Sequence, residues 1–128
     1  MIEEVKKQIS ELPKNIRVGQ QNKHIAGTNE YKQYVKIQKI KGEYGPSRLN
    51  GGIEFAQELV NKYSGTGDPR MKCGRWLNYE FVEANENIGI VVNNLNGIER
   101  ETNRFKIHYN KNGTHIVPDY PAKKRGKE

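Results

Sequence analysis

The sequence predicts an α+β domain whose N-terminal helices pack on one face of a C-terminal four-stranded antiparallel sheet. Three observations predict it. Apolar residues recur at helical spacing in residues 2–12 and again in 53–63. From residue 75 onward, β-branched and aromatic residues alternate with polar ones. Two Asn-Gly steps, Asn96-Gly97 and Asn112-Gly113, punctuate that second half as hairpin turns do. Helices early and a meander late require the helices to cover one sheet face, since little else is apolar enough.

Each element follows from its residues. Ile2, Val5, Ile9 and Leu12 form a short amphipathic stripe, and Pro13 ends it. Residues 14–30 are polar and irregular. Residues 31–40, YKQYVKIQKI, alternate and read as a strand with Tyr31, Gln33, Val35, Ile37 and Lys39 on one side. GEYGPSRLNGG is a loop by its glycines and proline. Ile53, Ala56, Leu59, Val60 and Tyr63 mark a second helix, stopped by SGTGDP. Four strands follow: 75–84 with Leu77, Tyr79 and Phe81 on one side, then 88–95, 98–109 and 114–117.

Composition bounds the function. A chain of 128 residues is enough for one domain, and 34% hydrophobic residues allow only a thin core. The net charge is +7, of which the 122–128 tail supplies +3. A basic body favours a polyanionic partner such as nucleic acid, or an acidic protein. The single cysteine, Cys73, excludes an internal disulfide and a cysteine-based zinc cluster, and it lacks a nucleophile's surroundings. No apolar run suits a signal peptide or a membrane span, so the chain is read as soluble.

The histidines carry the chemistry. His108 and His115 flank the Asn112-Gly113 step. A two-residue turn there pairs Asn110 with His115, and a four-residue loop pairs His108 with His115 directly. Either way the two imidazoles share a face, because directly opposed residues lie on the same side, and only an odd-length loop separates them. Phe105, Ile107, Tyr109 and Ile116 then face the helices, while Arg104, Lys106, His108, Asn110 and His115 line the open side. Imidazoles can give or take a proton near neutrality. On RNA, a base can take the 2′-hydroxyl proton, an acid can protonate the leaving 5′-oxygen, and a cation can stabilise the phosphorane, with no metal. The plainer reading is of solvated strand residues. A three-histidine zinc site formed by His24, His108 and His115 lacks a carboxylate partner nearby in sequence. SGTGDP lacks the Lys-Ser/Thr of a phosphate-binding loop and reads as a helix stop.

Three stretches resemble a known family. QNKHIAGT, YSGTG and IHYNKNGTHIVP together resemble the type 50 polymorphic-toxin domain, whose relatives also end phage head-morphogenesis proteins. That family is grouped with the barnase–EndoU–colicin–RelE ribonucleases, built as helices followed by a four-stranded sheet. The resemblance spans residues 18–121, leaving 1–17 as a leading helix and linker stub and 122–128 as a basic tail. It implies a metal-independent ribonuclease toxin that needs no cofactor and forms 2′,3′-cyclic phosphate ends. His24 and His115 are then the acid–base pair, with Lys23 stabilising the phosphorane. His108, Tyr109, Lys111 and Thr114 match the last motif as substrate contacts, although parity sends Tyr109 toward the core. Arg75 and Arg104 are further phosphate contacts. Residues 31–52, with Ser47 and Arg48, depart most from the family pattern. The expected partners are RNA and a cognate immunity protein, with no membrane, and the expected state is a monomer. The expected site of action is the cytoplasm of a target cell, after delivery as the end of a larger secreted or phage protein. The alternatives are a nucleic-acid-binding module without catalysis and an interaction domain of a phage or mobile element.

Overall fold

A computed structural model describes residues 2–121; the basic tail at 122–128 lies outside the described residues. The chain is α+β, and its helices come first. Helix α1 (Glu3–Glu11) carries Glu3 and Glu4 in its first turn, where carboxylates suit the helix dipole. Helix α2 (Val18–Gln21) runs into a 3₁₀ turn at Asn22–His24, a stretch read above as irregular. Helix α3 (Asn29–Ile40), strand β1 (Arg48–Leu49) and helix α4 (Ile53–Tyr63) follow. The remaining strands are β2 (Asp68–Lys72), β3 (Arg75–Glu83), β4 (Gly89–Val92), β5 (Glu99–Thr102), β6 (Arg104–Asn110) and β7 (Gly113–Asp119).

Besides the place of 88–95, expected in the four-stranded sheet but found as β4 of a second sheet while β2 joins the four, two expectations need correction. Residues 31–40 form a helix, not a strand. Thr28 caps it, its Oγ1 accepting from the Tyr31 amide at 3.1 Å. None of its residues is buried, so no core face marked its period. The second correction concerns 98–109, which divides at Asn103. The Ala84 amide donates to the Asn103 carbonyl at 2.8 Å, and Asn103 Nδ2 donates to the Ala84 carbonyl at 2.9 Å. Buried Thr102 donates its hydroxyl to the Asp119 carbonyl at 2.6 Å. These bonds hold a corner that sends β5 into a separate antiparallel sheet, β1-β4-β5. The four-stranded antiparallel sheet is β2-β3-β6-β7.

One face of that sheet forms the core. Val82, Phe105, Ile107, Tyr109 and Ile116 are buried in one cluster with Val5 and Ile9 of α1 and Ala56, Leu59 and Val60 of α4. The leading helix therefore shares the core of the rest. Removing this apolar surface from water is the main stabilising term, at ~25 cal/mol per Å².

The YSGTG stretch has a structural use. Glu80 lies fully buried on the core side of β3. Its carboxylate accepts from the Gly65 and Gly67 amides at 2.8 Å each, and from the Tyr109 hydroxyl. The same hydroxyl meets Ser64 Oγ at 2.7 Å. A Cβ on Gly67 would sit 2.0 Å from the Phe81 carbonyl oxygen, so only glycine allows this approach. The loop thus satisfies a buried carboxyl group instead of offering itself to a phosphate.

Candidate functional site: an imidazole cluster on the open sheet face

The β6–β7 register decides the site. His108 pairs directly with His115, Tyr109 with Thr114, and Asn110 with Gly113. The turn residues are Lys111 and Asn112, and Gly113 opens β7 at φ +129°. The register is that of direct His108–His115 pairing, and the two-residue turn lies one residue earlier than Asn112-Gly113. The cause is the N-terminal segment. Asn15 to Arg17 runs parallel along β7, with the Thr114 amide donating to the Asn15 carbonyl and the Arg17 amide to the Thr114 carbonyl, each at 2.7 Å. A Cβ on residue 113 would come within 2.5 Å of the Asn15 oxygen.

On the face away from the core, three rings step across three strands. The His108 and His115 rings stack with centroids 4.7 Å apart and planes 7° apart. Tyr79 of β3 lies on the other side of His108, at 4.9 Å. His24 comes from the 3₁₀ turn and is carried to this strand by Gln21. The fully buried Gln21 side chain donates Nε2–H to the Ile116 carbonyl at 2.9 Å and accepts the Ile116 amide at 2.6 Å. It thereby acts as a fragment of strand beside β7, next to His115. His24 is itself buried, with Nδ1 2.8 Å from the Ser47 carbonyl oxygen. A carbonyl can only accept, so Nδ1 carries the proton and Nε2 keeps a lone pair. The His24 ring meets Tyr34 edge-on at 6.0 Å.

Electrostatics bind the three rings into one unit. Burial pushes His108 down to about 4, helped by the charges of Lys106 and His24. Burial pushes His115 down to about 3, helped by His108, His24, Arg17 and Lys23. Burial also lowers His24, the Ser47 carbonyl partly opposes this, and Lys23 adds to it. Among the described residues, every charged side chain acting on these three rings is a cation or another imidazole. Such a cluster is neutral at pH 7 and short of negative charge.

The remaining sequence-predicted residues divide. Lys23 is exposed beside His24 and its charge reaches His115. Arg104 lies on the open face but is engaged: it meets Glu83 at 3.5 Å and Asp119 at 3.4 Å, and its guanidinium covers the Phe81 ring at 4.6 Å. Lys111 is exposed at the hairpin tip. Thr114 is a correction, because it faces the core, fully buried, with its hydroxyl 3.2 Å from the carbonyls of Lys14 and Asn15. Tyr109 is also on the core side, and burial with Glu80 raises its pKa, so its hydroxyl stays protonated. Arg75 lies at the β2–β3 turn and lines a groove against α1 with Glu4, Gln8 and Trp76, apart from the imidazoles. Arg48 is tied to Glu99 at 2.8 Å.

Sequence reasoning missed Gln21, Arg17 and the role of Tyr79. Alternation did place Tyr79 and Phe81 on one side of their strand, but which side meets the histidines depends on the β3–β6 register. For Gln21 and Arg17 no local signal exists.

The lowered imidazoles predict a stability profile. In the unfolded chain they titrate near 6.5, and in the fold near 4 and 3. Between those values the unfolded state binds more protons. Their contribution is therefore fully present above pH 6.5 and is lost as pH falls toward 3. The loss by pH 4 is on the order of 2 kcal/mol, allowing for screening at partly exposed rings. Denaturant melts from pH 7.5 to 4 should show it, and inorganic phosphate should reduce it by favouring the charged rings. An unchanged midpoint across that range contradicts the electrostatic picture.

The family model for bacterial toxin 50 matches residues 16–118, from the segment beside β7 to β7 itself. No curated protein matches the chain. No helix among the described residues is long and apolar enough to cross a membrane.

Proposed function

The chain belongs to the bacterial toxin 50 family, and from that premise we propose that it is a metal-independent endoribonuclease acting through its imidazole cluster. The observation that supports this is the cluster's charge. Among the described residues, the charges acting on His24 and on the His108–His115 pair are those of Lys23, Arg17, Lys106 and the other imidazoles, with no carboxylate among them. A phosphodiester supplies the missing anion.

The reaction follows from the tautomers. His24 has its Nδ1–H committed to the Ser47 carbonyl and offers an Nε2 lone pair, so it is the base that takes the 2′-hydroxyl proton. The 2′-oxygen attacks phosphorus and the bond to the 5′-oxygen breaks. The stacked pair supplies the acid, with His115 giving its proton to the departing 5′-oxygen. His115 titrates too low in the free protein to hold that proton well. The phosphate charge raises it on binding, since an adjacent anion favours the charged imidazole. Lys23 and Arg17 stabilise the extra negative charge on the phosphorane oxygens. The products are a 2′,3′-cyclic phosphate and a 5′-hydroxyl. The reading carries with it a cognate immunity protein, action in the cytoplasm of a target cell, and a monomeric domain.

Total RNA incubated with the domain in EDTA tests it. Fragments ending in 2′,3′-cyclic phosphate are expected, and 2′-O-methyl RNA of the same sequence should stay intact. Intact RNA, or equal cutting of the methylated strand, rules the mechanism out.

A further inference from the structure

The open sheet face continues past the imidazoles. Tyr79 and Phe81 lie on the same side of β3, paired with His108 and Lys106 of β6. Their rings meet edge-to-face at 5.6 Å. Both are partly exposed, on the side away from the apolar core. Lys106 extends its ammonium to 5.6 Å from the Tyr79 centroid, and Arg104 lays its guanidinium over Phe81. The aromatic, imidazole and guanidinium planes thus form a strip beginning at the candidate reacting centre. Successive same-face positions on a strand are ~7 Å apart.

The strip lies outside the apolar core. The core already has its aromatic residues in Tyr63, Trp76, Phe105 and Tyr109. Aromatic side chains alternating with cations on an open sheet face suit unpaired bases, whose rings stack on the aromatics while the phosphates meet the cations. In a duplex those ring faces are covered by neighbouring base pairs. The charge pattern sets a direction. Cations and imidazoles dominate at the His108–His115 end, while Glu83 and Asp119 hold Arg104 at the other. A phosphate is therefore favoured at the imidazole end and a base toward Phe81.

We propose that Tyr79 and Phe81, with Lys106 and Arg104, form a base-stacking subsite that selects single-stranded nucleic acid and seats the base flanking the reacting phosphate. The proposal rests on the ribonuclease reading for its orientation, but its test does not depend on cleavage.

The probe is a fluorescently labelled 2′-O-methyl RNA hexamer, which cannot undergo 2′-oxygen attack, measured by anisotropy alone and as a duplex. The single strand is expected to bind at least tenfold more tightly than the duplex. Tyr79→Ala and Phe81→Ala should each weaken single-strand binding about tenfold, in keeping with the worth of one stacked base. Tyr79→Phe keeps the ring and should restore binding, which a merely structural role for the hydroxyl would not do. Circular dichroism identifies any variant that fails to fold; Phe81→Leu, which keeps bulk without the ring, then serves in its place. Equal affinity for duplex and single strand overturns the subsite, as does unchanged binding in folded variants lacking either ring. If the hexamer binds as expected while unmodified RNA remains uncut, the subsite stands and the hydrolytic reading falls.

Discussion

His24→Ala and His115→Ala are each expected to lower RNA cleavage by roughly 10²–10⁴-fold, the usual worth of a positioned proton donor or acceptor. The double variant should lose little more than either single one, because two rings serving one proton-transfer sequence act as a unit. The loss should fall mainly on kcat, since proton transfer to and from the rings is made only in the transition state. His108→Ala should cost less and act differently. Removing it takes away the ring stacked at 4.7 Å on His115 and the charge that helps depress it, so the remaining acid should titrate higher. The pH profile of kcat/KM in the wild type is expected to peak below 6.5, the unperturbed imidazole value, because base and acid are both lowered. It should decline as pH rises, when the acid form of the stacked pair is lost. In His108→Ala that declining limb should move upward in pH. The rings titrate as a coupled cluster, so the limbs report the unit and not one residue. A wild-type optimum above pH 8 contradicts the assignment, as does full activity in either alanine variant.

The shared face of the two histidines could be read before any fold was known, their direct pairing only as one of two registers. Alternation along Phe105–Tyr109 and a turn signal between His108 and His115 put the rings on one face for either even loop, and only an odd loop would have parted them. The helix at 53–63 was legible for the same reason: its stripe is the face that α4 buries, at Ala56, Leu59 and Val60. The helix at 29–40 was not, because it buries no residue and leaves Ile37 and Ile40 exposed. Hydrophobic spacing then carries no information about packing, and β-branched residues at alternate positions mimic a strand. The better signal was Thr28 ahead of Asn29 and Glu30, a helix start chemically independent of burial. Residue 103 was invisible as a breakpoint because its amide does its work against Ala84, 19 positions earlier. His24 could be noted as a titratable residue, but its place beside β7 depends on a partner that nothing local reveals.

That partner gives the second large effect. Gln21→Leu preserves volume and removes both hydrogen bonds to Ile116, leaving a buried amide and a buried carbonyl without partners. Each orphaned group costs ~1–3 kcal/mol, so a stability loss of about 3 kcal/mol is expected, measured as a shifted denaturant midpoint. Gln21→Glu is a useful companion. A carboxylate can still accept from the Ile116 amide, but it cannot donate to the carbonyl when ionised, and it brings a charge to a fully buried position. The two variants separate stability from positioning. Under conditions where Gln21→Leu remains folded, cleavage should fall by at least tenfold, because the turn bearing His24 is no longer tied to the strand bearing His115. The His24 ring should then lose its hold on the Ser47 carbonyl and titrate closer to 6.5 by nuclear magnetic resonance. A structural role alone would lower stability without moving that titration. If the folded variant keeps its activity and the His24 titration is unchanged, then the Gln21–Ile116 pairing does not set the distance between base and acid, and the α3–β1 side must fix His24 through Ser47 and Tyr34.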